Sequence, residues 1–142
     1  MKKLIWALPL LTAMPLLAWS QTSQEPGAGQ RSYNIKSLSE TEVQGYLNGR
    51  GMSLAKPAEL NGYPGPMHVL ELAEKLQLSE RQKSETQMAF DRMRGEAIRL
   101  GKLIVEKEAR LNDLFGNGKA DPTKMRTNIN EIALLQGELR IV

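Results

Sequence analysis

Between Phe90 and Leu114 apolar residues recur at alternating steps of three and four: Phe90, Met93, Ala97, Leu100, Ile104, Leu111 and Leu114, with Lys107 in the one polar slot. An α-helix turns every ~3.6 residues, so such a series lines up as one continuous stripe, the a/d seam of helices packed side by side. The pattern predicts a single helix from about Glu80 to Phe115, roughly 54 Å long at ~1.5 Å per residue. Ser79 and Gln82 stand in capping-box spacing at its start, and Gly116-Asn117-Gly118 supplies a stop. Asp121-Pro122 then opens another helix in N-cap and N1 order, with Met125, Ile129, Ile132, Leu135 and Leu139 as its stripe. A connection this short favours folding the second helix back along the first as an antiparallel partner.

The preceding segment reads as shorter pieces. Ser39 and Glu42 form a capping box ahead of Val43, Tyr46 and Leu47, and Gly49 and Gly51 end that short helix. A Pro/Gly-rich loop carries the chain to residue 65. Pro66, suited to a first helical turn, starts a helix reaching Leu76 with Val69, Leu70, Leu72, Ala73 and Leu76 on its apolar side. No period-two strand pattern competes. The expected fold is all-α: a short helix and loop over 39–65, then a helical hairpin over 66–142. Upstream, residues 21–38 read as a flexible linker. Before it, Lys2 and Lys3 precede the uncharged run Leu4 to Ala18, and Ala18-Trp19-Ser20 fits a small-x-small cleavage site. That order is a secretory signal peptide cut after Ser20, with a core too short for a membrane span of about 20 apolar residues.

Removing that segment changes the charge. The whole chain carries +3; without Lys2 and Lys3 the bases number 17 against 16 acids. Such a balance gives no electrostatic footprint for nucleic acid. Both tryptophans leave too, and without cysteine there is no disulfide and no thiolate chemistry. Catalytic inventories are thin. His68 is the single histidine; with Glu71 three residues on, it offers at most two ligands to a metal, fewer than a closed site needs. Met52, Met67, Met88, Met93 and Met125 are scattered, which suits core filling better than a Cu(I) site. Glu71/Glu74, Glu106/Asp113 and Glu131/Glu138 lie at helical spacing, the arrangement of a solvated face. Gly95 and Gly101, inside the long helix, either soften it or admit another helix closely. The expectation is no enzyme and no cofactor.

What is left over is surface. Met88, Ile98, Leu103 and Val105 fall off the main seam, with Arg94, Arg99 and Lys102 close by in sequence. Apolar residues ringed by mixed charge can bind many partners weakly, unless the short N-terminal helices cover them.

Leu78-Ser79-Glu80-Arg81-Gln82 resembles the L-T-x-x-Q motif of the Spy/CpxP family of small exported helical proteins, with Ser79 in place of threonine and Gln82 as the closing glutamine. The signal peptide, the cysteine-free helical pattern and the return helix through Gly137-Glu138-Leu139-Arg140 also fit, over about residues 66–140. The resemblance implies a periplasmic, ATP-independent chaperone or envelope-stress protein. It would bind unfolded proteins on an amphipathic helical surface as a homodimer, and Met88, Ile98, Leu103, Val105, Arg94, Arg99 and Lys102 would contact the client. The chain lacks the second L-T-x-x-Q motif and final helix of the family, so it reads as a shortened member. A related metal-resistance branch implies the alternative of a metal-responsive sensor, with His68 and Glu71 as weak candidates; a shortened, inactive relative is the third.

Overall fold

A computed structural model describes residues 35–118 and 120–142. The expected signal peptide, and the expected linker up to residue 34, lie outside the described residues. The described chain forms five helices and no strand: α1 Glu40–Leu47, α2 Lys56–Glu59, α3 Pro66–Glu71, α4 Glu80–Gly116 and α5 Pro122–Ile141. The all-α expectation holds, and the long helix runs unbroken for 37 residues.

Its ends are fixed as the sequence predicts. The Ser79 hydroxyl accepts from the Gln82 amide at 3.3 Å, and the Gln82 side chain accepts from the Ser79 amide at 2.9 Å. Two amides that a helix start otherwise leaves unpaired are thereby satisfied. Asn117 caps the other end, and Gly118 turns the chain with φ of +63°, a conformation open to glycine. Asp121 accepts from the Lys124 amide at 2.8 Å, with Pro122 following, and α5 returns along α4.

Two offset stripes on α4 organise the packing. The a/d seam faces α5, and Leu100, Ile104 and Ile132 are buried there. One residue further on, Arg94, Ile98, Gly101, Val105, Glu108 and Asn112 repeat the same alternation of four and three. One residue is ~100° around a helix, so this second stripe faces a different neighbour. That neighbour is α1 with the segment before it: Ile35, Leu38 and Val43 bury against Val105. Ser37 reaches Glu108 at 2.9 Å, and the Lys36 amide donates to Asn112 at 3.3 Å. Each fully buried Ile or Leu contributes on the order of 1.5–3 kcal/mol.

Several expectations need correction. Residues 35–38, expected in the linker, pack onto the helices: Ile35 (1% exposed) and Leu38 (8%) supply the apolar cover for Val105, while Lys36 and Ser37 between them stay exposed. The loop after α1 contains one turn of helix, α2, with a proline in its first turn. Regular helix in α3 stops at Glu71, five residues early. The chain continues in turns to Gln77, whose φ of +50° is left-handed. There the Leu78 amide bonds the Ala73 carbonyl and the Gln77 amide bonds that of Glu74, a Schellman closure with glutamine in the position glycine usually holds.

The stripe of α5 is also shifted. Met125, Ile132, Leu135 and Leu139 face inward, but Ile129 is exposed and Asn128 is buried in its stead. The steps 125–128–132–135–139 keep the three-four alternation, which a reading confined to apolar residues passes over.

Candidate interaction surface

The residues expected to contact a client divide into three environments. Val105 (6% exposed) lies under Ile35, Leu38 and Val43, so it is a core residue and not surface. Ile98 is half-buried where α1 ends: a side chain placed on Gly49 would come within 3.0 Å of Ile98 Cγ1 and 3.1 Å of the Arg94 carbonyl. Gly49 has φ of +62°, so the sharp exit from α1 and the close approach to α4 demand the same residue. Gly101 permits the tightest contact. The Tyr46 backbone occupies the space its Cβ would fill, so α1 rests directly on the α4 backbone. Of the two glycines singled out within the long helix, Gly101 admits a helix, while Gly95 faces open space.

Leu103 is half-buried beside the seam, and Met88 (55% exposed) stands in solvent on the first turns of α4. Lys102, Arg94 and Arg99 are exposed. Arg99 is tied down: its Nε lies 3.0 and 2.9 Å from the two Glu96 carboxylate oxygens and its Nη2 lies 2.6 Å from one of them. The hydrogen bonds and charge of Arg99 hold the Glu96 carboxyl below its ordinary range. Glu96 therefore pairs with Arg99 and not with Arg92, the partner that spacing alone also permits.

Apolar exposure extends beyond the sequence candidates. On α5, Leu134 (69%) and Ile129 (47%) are exposed. Leu60, Tyr63 and Met67 are exposed around the turn between α2 and α3, and Leu72 and Leu76 along the turns after α3. Ile129, Leu72 and Leu76 read as core in the sequence because their helical spacing matches an apolar stripe. The elements carrying them are too short, or too one-sided in their packing, to bury both faces.

An open groove of about 540 Å³ separates α3 from the first turns of α4, lined by Leu70, Glu71, Ala73, Glu74, Glu80, Lys83, Ser84 and Gln87. Lys83 Nζ lies 3.2 Å from a carboxylate oxygen of Glu74 and 3.2 Å from one of Glu80. Those two acids, Glu74 first, hold the ammonium above its ordinary pKa. The structure does not bring His68 and Glu71 together as a ligand pair: His68 Nδ1 instead lies 2.9 Å from Glu59 Oε1, pinning α2 to α3. Among the described residues no three His, Cys, Asp or Glu side chains converge as metal ligands, and no helix is long and apolar enough to cross a membrane.

No family model, curated protein or solved structure matches the chain.

Proposed function

We propose that this chain is an exported, ATP-independent chaperone of the Spy/CpxP type, delivered to the periplasm by its N-terminal segment and acting as a homodimer on unfolded envelope proteins. The observation that carries this reading is the set of large apolar side chains left in solvent on charged helices. Met88 on α4 and Leu134 and Ile129 on α5 all stand exposed, with Arg92, Lys102, Glu106 and Arg126 exposed on the same two helices. Apolar contacts of this size, spread out and bordered by both charge signs, favour weak adaptable binding of partly folded chains over one shaped ligand. The built Ser79–Gln82 capping box supports the family reading, since the hydroxyl and the glutamine of the motif both perform a structural task. Leu103 remains in the proposed client surface at its half-buried edge; Val105 does not.

The test is suppression of light scattering by a chemically denatured substrate, without ATP, using the purified chain from Gln21 onward. Scattering is expected to fall as the molar ratio rises. Unchanged scattering at a clear molar excess overturns the proposal.

A further inference from the structure

The interface between α4 and α5 contains one polar layer in an otherwise apolar seam. Asn128 is 4% exposed, and its Nδ2 donates to the Lys107 backbone carbonyl at 2.8 Å. Turning the amide over would set two oxygens face to face, so this orientation is the one the hydrogen bond selects. Among the described residues, Oδ1 has no hydrogen-bond partner. Lys107 Nζ in turn lies 2.7 Å from Glu131 Oε2, closing the edge of the layer. A leucine at position 128 would extend the seam; asparagine there leaves a desolvated acceptor unpaired.

The surroundings make this the weak point of the hairpin. The backbone of α5 packs on α4 alone among the described helices. On α5 only Asn128 and Ile132 are fully buried, while Ile129 and Leu134 stand in solvent, so few side chains hold the helix down.

We infer that the Asn128–Lys107–Glu131 layer is an opening point. Its side-chain bonds fix the register of α5 on α4, and its unpaired acceptor lowers the free energy needed for α5 to part from α4 and offer the seam residues Leu100, Ile104 and Ile132 to a client. Register is set by a directional bond that a slipped pairing cannot make, and opening is favoured because water satisfies the amide that the closed state does not. This deepens the chaperone reading and rests on it.

The experiment compares the purified wild-type chain with Asn128→Leu by amide hydrogen exchange of α5 and by suppression of aggregation. Exchange through α5 is expected to slow about tenfold, and suppression to weaken. Asn128→Met, whose thioether adapts to the same space, repeats the test should leucine overpack the seam. Exchange that is unchanged or faster in the folded variants overturns the inference, as does slowed exchange with undiminished suppression; so does loss of folding in both variants. A wild-type chain that suppresses nothing overturns the chaperone reading instead, and the exchange comparison still decides whether α5 opens at this layer.

Discussion

The two ends of α4 are built from similar residues and live in different surroundings. From about Met93 onward the helix is embraced on two sides: α5 lies along one stripe and α1 with Ile35 and Leu38 along the other, so Leu100, Gly101, Ile104 and Val105 are all buried within six positions. Before Met93 the helix meets, among the described elements, α3 and the turns behind it. Met88 is in water, and the groove beside Lys83 stays open. The difference teaches that a heptad seam specifies where a helix can pack and not whether it does. Burial also needs a second element of sufficient length, and α3, six residues of regular helix, falls short. The fully buried side chains of α4 all belong to the embraced part, while Met88 at the other end stays in solvent.

Substitutions that test this contrast differ widely in expected size. Ile104→Ala removes a fully buried side chain from the seam and is expected to destabilise by about 2–5 kcal/mol, read as a lowered midpoint in urea. Gly101→Ala places a methyl group where the Tyr46 backbone sits. It should cost about 1–3 kcal/mol despite alanine's better helix propensity, and exchange protection should fall selectively in α1. Equal stability of that variant and wild type would mean that α1 does not rest on α4 as described. Ser79→Ala, which deletes the cap at the open end, is expected to cost about 0.5–2 kcal/mol, with fraying over the first turns of α4 measured by exchange. Met88→Ala should leave the unfolding midpoint within about 0.5 kcal/mol of wild type while reducing suppression of aggregation. The reverse pattern would place Met88 in the core.

The smallest effect is that of acid. The Ser39 hydroxyl and backbone amide hold the Glu42 carboxyl below its ordinary value of 4.5. A carboxyl depressed in the folded state contributes stability that is complete above the unfolded value and is lost as pH falls through the folded one. Helicity of α1 should therefore erode on acidification below about pH 4.5, and Ser39→Ala should flatten that dependence in a circular dichroism titration.

Much of this architecture was legible because α4 and α5 advertise themselves by periodicity and caps. Ser79 with Gln82 and Asp121 with Pro122 fix starts through bonds within four residues, which sequence spacing encodes directly. The exposed surface was less legible. Val105 and Met88 are both apolar residues off the main seam. One is buried because Ile35 and Leu38, more than 60 positions away, fold onto it; the other is exposed because nothing long enough lies opposite. Such long-range cover leaves no mark in local pattern. The second stripe was nonetheless written in the chain, at Ile98, Gly101 and Val105, but in mixed residue types that do not read as hydrophobic. Asn128 was hidden for the same reason. A polar residue in a seam position looks like an interruption, and the eye moves to Ile129 as its apolar neighbour.

The left-handed Gln77 governs how α3 is set against α4. With the Leu78 and Gln77 amides spent on Ala73 and Glu74, a single backbone dihedral at this joint aims the whole α3 lever, and the Lys83 bridge to Glu74 is the only ionic strut between that lever and α4 among the described residues. Glycine at 77 would relieve the backbone while freeing the lever to swing, widening or shutting the crevice beneath it, with Ala73 the one fully buried side chain that moves.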